Sequence, residues 1–484
     1  MAKRTAVIDI GSNSVRLVIF EKTSRFAFHL LHEVKSRVRI SENAYENQGH
    51  LQEVPLNRAF HALKEFSYII QAYKANKTLC VATSALRDAP NKNNFIKKVK
   101  QELSINIKTI EGEKEAYLGG IAAANLLHVD SAMSIDIGGG STELALFDNN
   151  KVSHTFSLDL GTVRLKELYF DNGDIKGAKA YIQEELKKLP SQMSHDTLIG
   201  IGGTLRALSK MIMQKDEIYF KRIHGFTYTI SDQKKYFENI LKADQKELVK
   251  LGVKQDRLDV IQAGLLILTM LIKHLQSKYI ITSGVGVREG LFLSDLLRSQ
   301  RDRFPHNYNP SLTSLLDRFP MYNNTRLYEE SDKVFDLLHK QLDLDKEYKT
   351  IFLAAIRLSK IGISLDFYEA HRHAYYMILN GLLYGYSHQD TILISTLVRY
   401  QRKKHPTNLH MQEYKDYLPK EKTCYALSLL MKLCLDLFNE FKQKGDLKLF
   451  LKDETLTIKT QDNYLLKEKI KSLQNNTLLT IIID

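Results

Sequence analysis

Cysteine is scarce in this chain of 484 residues: Cys80, Cys424 and Cys434 stand far apart, in apolar or helical contexts. Their spacing suits neither a disulfide framework nor a metal cage, so buried thiols in a reducing compartment are expected. Long apolar runs are missing too. The longest, around Val260 to Ile272, is too short to cross a bilayer and contains Gln262. At the N-terminus Met1-Ala2-Lys3-Arg4 leads directly into a strand-like segment, with no signal-peptide pattern ahead of it. A cytoplasmic location without membrane contact is therefore the expectation. No low-complexity linker interrupts the chain, yet its length exceeds what one core usually organises, and two to four domains are expected.

Acidic residues are outnumbered. The chain carries 69 Lys and Arg against 56 Asp and Glu, a net charge of +13. Such a balance invites polyanions. No RNA-recognition signature, zinc-finger spacing or heptad basic region is present, so nucleic acid is not the expected partner. Much of the excess lies on helical faces such as Lys97-Lys98-Val99-Lys100 and Arg402-Lys403-Lys404-His405, where solvation is the default reading.

What is there in abundance is one motif, written twice. Ala6-Val7-Ile8-Asp9-Ile10-Gly11-Ser12-Asn13-Ser14-Val15-Arg16-Leu17 returns in type as Met133-Ser134-Ile135-Asp136-Ile137-Gly138-Gly139-Gly140-Ser141-Thr142-Glu143-Leu144, at an offset of 127 residues from Asp9 to Asp136. Each copy reads as a β-hairpin with a carboxylate beside a small-residue bend. Such a turn suits phosphate. Glycine lets consecutive N–H groups face an oxyanion, hydroxyls add donors, and the Asp can hold a metal ion against the phosphate. One copy alone would be an ordinary hairpin; two imply duplicated halves facing a shared cleft.

Around the hairpins, strands are predicted from residue 5 to 35 (including alternating Arg25 to Leu30), at 78–82, 105–110, 132–137, 142–148, 151–158, 197–201 and 279–282. Helices are predicted at about 56–73, 114–127, 175–189 and 257–275, after Gly202-Gly203 and after Gly286. From about residue 301 to 445 the pattern is nearly all helical, and the last forty residues read as short strands around a helical piece. The expected fold class is α/β: two duplicated ribonuclease-H-like domains, 1–125 and 126–300, followed by a mainly helical domain, 301–484.

With Ala82-Thr83-Ser84-Ala85-Leu86-Arg87, Glu113-Lys114-Glu115-Ala116, Gly200-Ile201-Gly202-Gly203-Thr204 and Ser283-Gly284-Val285-Gly286-Val287-Arg288-Glu289-Gly290, the chain resembles the exopolyphosphatase/guanosine pentaphosphate phosphohydrolase family of the actin-like ATPase superfold. The resemblance implies a Mg²⁺-dependent release of terminal phosphate from inorganic polyphosphate, from guanosine pentaphosphate, or from both. Phosphate oxygens would meet Gly11, Ser12, Asn13 and Ser14 on one side and Gly138, Gly139, Gly140, Ser141 and Thr142 on the other. Gly202, Gly203 and Thr204 open a helix and offer free N–H groups to a further phosphate or a guanosine moiety. Asp136, Glu143 and Asp9 are the metal candidates, although strand alternation alone also accounts for Glu143. In the family the water-positioning glutamate is the second acid of a Glu-Glu-Ala pattern. Here Lys114 replaces the first acid, leaving Glu115 as the best match and Glu113 as its competitor. Arg87 matches the family's phosphate-binding arginine, and Arg257 and Arg288 are further phosphate candidates.

The third domain is similar to the family's helical module related to metal-dependent HD phosphohydrolases, through Ala370-His371-Arg372-His373 and Thr396-Leu397-Val398-Arg399. Leu358-Ser359-Lys360-Ile361-Gly362 stands where the His-Asp ligand pair would fall, so no metal catalysis is expected there. Arg372, Arg399, Arg402 and Lys403 would extend a groove for a long polyanion. Two other functions remain open, an actin-like ATPase or sugar kinase and a non-catalytic polyanion-binding protein. The oligomeric state is open as well, a homodimer included.

Overall fold

The computed structural model describes residues 3–320, 325–402, 405–438, 447–460, 464–474 and 478–483, so Met1, Ala2, Lys403 and Lys404 lie outside the described residues. The chain divides into two compact units, Met1–Pro310 and Ser311–Asp484.

The first unit holds two sheets of the same plan. One is built from β1 (Arg4–Ile10), β2 (Val15–Lys22), β3 (Phe28–Ser36), β4 (Lys77–Ala82) and β5 (Ile107–Thr109), ordered β3-β2-β1-β4-β5. The other contains β6 (Ala132–Ile137), β7 (Thr142–Asp148), β8 (Lys151–Leu158), β9 (Thr197–Ile201), β10 (Thr227–Thr229) and β11 (Tyr279–Thr282), ordered β10-β11-β9-β6-β7-β8. In each, an antiparallel three-stranded meander joins a parallel pair through its first strand. The duplication extends to its irregularities. Pairing slips at Ile19/Phe20 between β2 and β3, and at Leu146/Phe147 between β7 and β8, the same 127-residue offset as the motif. An irregularity of this kind interrupts the ladder at matching positions in both halves.

Layers on both faces explain the near-continuous apolar runs of β1 and β6, whose Ala6, Val7, Ile8, Met133 and Ile135 are fully buried. Asp9 and Asp136 interrupt those runs at the strand ends, where both lie in the cleft. Each hairpin closes with the same bond, Gly11 N–H to the Ser14 carbonyl (3.2 Å) and Gly138 N–H to the Ser141 carbonyl (2.9 Å).

Three sequence expectations need correction. The alternation of Arg25 to Leu30 is a strand only from Phe28. Upstream, Thr23 N–H bonds the Ala27 carbonyl in a turn, and Phe26 is buried by its ring contact with Tyr308 rather than by sheet pairing. The helix expected from Arg257 begins at Ile261, because Gln255–Arg257 form a separate 3₁₀ turn. Residues 105–110 contribute only β5. β10 and the helix Ile230–Lys242 were passed over by the sequence reading.

The second unit is mainly helical, with Thr325–Leu338, Tyr348–Leu358, Ala370–Gly381, His388–Arg399 and Glu421–Phe438 as its main helices. A small sheet, β12 (Leu447–Lys452), β13 (Thr455–Thr460) and β14 (Thr480–Ile483), accompanies the helix Tyr464–Gln474. No helix among the described residues is long and apolar enough to cross a membrane, and the three cysteines are buried and unpaired.

Candidate active site

The two hairpin turns meet in the first unit. They line a cleft of about 140 Å³ together with Asp9, Arg16, Thr83, Ser84, Glu115, Asp136, the Gly202-Gly203-Thr204 turn, Arg206, Arg257 and Arg288. Parallel strands deliver these residues: β1, β4, β6 and β9 all end at the cleft, and each is followed by a turn or helix start. Ser12 Oγ and Ser84 Oγ hydrogen-bond at 3.1 Å, joining the turn after β1 to the one after β4. Gly202 opens the helix Gly202–Lys215 with φ +89°, a conformation and a closeness to the Asp136 carboxylate that no side chain tolerates.

Glu115 sits in the first turn of the helix Gly112–Leu126, buried and in the cleft, while Glu113 on the same turn is exposed. The helix register thus separates two acids that the sequence left in competition. Glu115 Oε2 lies 3.7 Å from Arg87 Nη1, and both atoms are buried without a hydrogen-bond partner. Burial, reinforced by Glu143, Asp136 and Asp9, pushes the Glu115 carboxyl well above its ordinary range, with Arg87 opposing. Asp136 is pushed up to about 6 chiefly by burial, Asp9 moves the same way, and Glu143 rises to about 8 despite its bonds to Ser141 and Ser157. Glu143 pairs across the hairpin with Asp136 and accepts a bond from Ser157 Oγ at 3.1 Å. Four buried carboxyl groups share this upward bias, burial outweighing the arginines that oppose it, Arg87 at Glu115 and Glu143 and Arg16 and Arg288 at Asp9 and Asp136. Among the described residues no three Asp, Glu, His or Cys side chains converge as a ready-made metal cage. An ion completing its shell with phosphate and water, as Mg²⁺ does, needs only one or two of them.

The same cleft carries cations beside these acids. Arg16 stands across β1–β2 from Asp9, the position that Glu143 occupies in the second hairpin. Burial and Arg288 lower the Arg16 pKa, burial and Arg16 lower that of Arg257, and Arg206 falls to about 10 for the same two reasons, burial first. Lys35 drops to about 8 through burial and the surrounding arginines. Arg288 differs: burial works against its charge, but Glu289 and Glu33 hold it above its ordinary value, with a 2.6 Å bond to Glu33. Cations crowded this closely at a cleft are arranged for an anion. Arg16, Arg206 and Lys35 were not singled out from the sequence.

Other expected phosphate contacts sit differently. Thr142 is fully buried and its hydroxyl donates to the Leu160 carbonyl at 2.5 Å, so it supports the turn from behind. Gly140 is not among the residues lining the cleft, and a Cβ there would collide with the Tyr45 hydroxyl and stand 2.7 Å from Ser84 Oγ. Tyr45, another residue missed by the sequence reading, bonds Ser12 through its hydroxyl and lies under the Arg164 guanidinium at 4.9 Å. Arg87 and Glu143 stand just behind the lining, reaching it through Glu115 and the Gly138 turn. In the second unit, His371 lines a separate cavity, His373 N–H bonds the Glu369 carbonyl, and Arg402 donates to the Phe367 and Tyr368 carbonyls.

Residues 18–299 match the model of the Ppx/GppA phosphatase family, and residues 311–481 match that family's domain III. The chain belongs to the Ppx/GppA phosphatase family. A solved Ppx/GppA structure from Aquifex aeolicus superposes with a TM-score of 0.54 at 28% identity, covering 64% of this chain and all of that one. The fold is shared with an exopolyphosphatase from Cytophaga hutchinsonii, with a TM-score of 0.56 at 24% identity over 61% of this chain and 98% of that one. A curated relative, the bifunctional 3-dehydroquinate synthase/phosphatase of Fusobacterium nucleatum, is 33% identical over 298 residues. That match takes in 57% of this chain and 44% of the relative, so the chain spans less than half of that protein's length.

Proposed function

We propose that this Ppx/GppA chain hydrolyses a terminal phosphoanhydride, releasing phosphate from inorganic polyphosphate, from guanosine pentaphosphate, or from both. The observation that carries this reading is Glu115: a buried carboxylate with an unpartnered oxygen, set beside Arg87 between two duplicated phosphate turns. Family membership supports phosphohydrolase chemistry on substrates of this kind.

The acids fit Mg²⁺, because four buried carboxyl groups with raised pKa values favour a cation among them. Asp136, Glu143 and Asp9 would hold it, and the ion supplies neutralisation of the phosphate oxygens when bound. The N–H groups of the two turns and of Gly203 and Thr204 cradle the terminal phosphate, and Arg16, Arg206 and Arg257 hold the rest of the chain. A water beside Glu115 gives its proton to Oε2 as its oxygen bonds the terminal phosphorus. The bridging P–O bond breaks, and the shortened phosphate chain leaves with that bridging oxygen against the arginine wall. Burial first and the neighbouring acids second raise the Glu115 carboxyl, and a cation held by Asp136, Glu143 and Asp9 would offset the share due to the acids, favouring the carboxylate form that serves as a base.

Glu115→Gln tests the reading. Phosphate release from long-chain polyphosphate and from guanosine pentaphosphate, measured in parallel with ATP, should fall about 10²- to 10⁴-fold for the true substrate while its affinity stays near that of the native chain. Near-normal turnover would remove Glu115 from the reaction, and release from ATP alone would favour the ATPase reading.

A further inference from the structure

Every carbonyl of the second hairpin turn is engaged. Thr162 N–H donates to the Gly138 carbonyl at 3.0 Å, Val163 and Arg164 N–H to that of Gly139 at 2.8 and 3.1 Å, and Gly138 N–H to that of Ser141 at 2.9 Å. The carbonyl of Gly140 is held by a side chain instead: Arg164 Nε donates to it at 2.9 Å. A trans peptide carries its N–H on the edge opposite its carbonyl. The N–H groups of Gly139, Gly140 and Ser141 are thus turned away from residues 162–164, and they meet no acceptor among the described residues. Gly139 and Ser141 line the cleft, whereas Arg164 does not. Arg164 therefore aims a donor of the cleft, the Ser141 N–H, without reaching a ligand itself.

The guanidinium is fixed on its other sides as well. Nη2 donates to Asp159 Oδ1 at 3.0 Å, the Tyr181 hydroxyl hydrogen-bonds it, and Cζ lies over the Tyr45 ring, 4.9 Å from its centroid. Tyr45 carries the contact into the first half. Its hydroxyl bonds Ser12, Ser12 bonds Ser84, and all three oxygens lie within 3.3 Å of the place a Cβ of Gly140 would take. The first turn is backed in the same manner, by Arg39 N–H on the Asn13 carbonyl at 3.1 Å and Ser41 N–H on that of Ser12 at 3.3 Å. Glu167, three residues beyond Arg164, ties the two backing segments together: it accepts the Asn43 N–H at 3.2 Å and the Tyr45 N–H.

We propose that Arg164 is a positioning residue for the reaction: it ties the Gly140 carbonyl back so that the Ser141 N–H faces the terminal phosphate, and through Tyr45 it holds the second turn against the first. The inference rests on the phosphohydrolase reading of the cleft. A run of three glycines leaves the peptide between Gly140 and Ser141 free to rotate, and rotation would present its carbonyl oxygen to phosphate oxygens, where it repels them. Arginine suits the task of preventing this, because Nε and Nη2 hold two acceptors in one rigid plane, here the Gly140 carbonyl and Asp159. Lysine offers the same charge on a flexible stem and no such fork.

The test uses the full chain. Arg164→Met keeps the stem and loses every donor; Arg164→Lys keeps the charge and loses the fork. On whichever of long-chain polyphosphate and guanosine pentaphosphate the native chain cleaves, Arg164→Met should lower kcat about 10- to 100-fold, the cost of a misaimed group, with KM within about threefold of native. Arg164→Lys should fall between. A role in folding alone would lower the thermal midpoint and leave both constants of the folded protein as they were. The second arm needs no turnover. In short-pulse hydrogen–deuterium exchange with Mg²⁺, imidotriphosphate, whose P–N–P bridges resist hydrolysis, should slow the Gly139, Gly140 and Ser141 amides of the native chain. In Arg164→Met that slowing should be lost, while it persists at Gly11 to Ser14. Native kcat in both variants, no slowing at 139–141 in the native chain, or equal slowing there in Arg164→Met would each overturn the proposal. If the native chain cleaves neither substrate, it is the phosphohydrolase reading that fails, and the exchange arm alone decides whether Arg164 shapes a phosphate cradle. If Arg164→Met does not fold, Arg164→Lys carries both arms.

Discussion

Asp136→Asn should make the metal-free protein more stable. In an unfolded chain this carboxyl loses its proton near its ordinary 3.8, but in the folded protein burial delays that loss to about 6. The folded state therefore binds the proton more tightly, and ionising Asp136 favours unfolding. The penalty is nil below about pH 4, grows between about 4 and 6, and levels off near 3 kcal/mol at neutral pH, an order-of-magnitude ceiling from about 1.4 kcal/mol per pH unit. Asparagine has no charge to bury and is free of it. In chelator at pH 7 the variant should gain up to about 3 kcal/mol, and at pH 4 nothing. Excess Mg²⁺ should reverse the ranking at pH 7, stabilising the native chain and leaving the variant nearly unmoved. Hydrogen–deuterium exchange of the β6 and β7 amides reads this locally, without assuming that both units unfold in one step. No gain in chelator at pH 7, or equal protection of both proteins by Mg²⁺, would refute the assignment of Asp136 as a buried carboxylate whose burial outweighs its arginine neighbours and which would hold a cation.

Tyr45→Phe keeps the ring under Arg164 and removes only the hydroxyl that meets Ser12. Steady-state kinetics should show a loss of about 2- to 10-fold in kcat/KM, with the thermal midpoint nearly unchanged. Arg206→Gln should weaken binding of polyphosphate and make it less sensitive to salt, seen as a shallower slope when affinity is titrated against ionic strength. The double substitution His371→Ala, His373→Ala should leave the Mg²⁺ concentration needed for half-maximal phosphate release where it is, because the metal candidates lie in the other unit.

The two hairpin turns of the cleft were legible because one chain displays the same hairpin twice, and a repeat is visible without any partner. Glu115 was legible only through the family pattern, since sequence alone gave no reason to prefer it to Glu113. The helix register, which turns Glu113 to solvent and Glu115 to the cleft, is a three-dimensional fact. Arg16 and Arg206 carry no local signature: they come from β2 and from the helix after β9, and join the expected Arg257 only when both halves are built. Thr142 failed for the opposite reason. Its hydroxyl follows glycines and looks like a phosphate donor, but it is the first residue of β7, and strand geometry points it to Leu160.

Duplication explains how a nearly symmetric scaffold yields a polar site. Both halves place an Asp at the end of the first strand, close the turn with the same N–H to carbonyl bond, and bulge at the same offset. The residue facing that Asp across the hairpin is Arg16 in the first half and Glu143 in the second. A single position, read with opposite charge, sets a cation beside the Asp of one half and a second acid beside the Asp of the other. On the proposed reading, a phosphate chain with its counter-cation would satisfy both at once, its oxygens toward the arginines and its cation toward the carboxylates. Neither set of charges alone selects a substrate, since arginines attract any anion and buried acids attract any divalent ion. Their presence together in one small cleft, with Arg16 directly across the hairpin from Asp9, suits ligands that carry both charges in contact better than an isolated carboxylate or nucleobase.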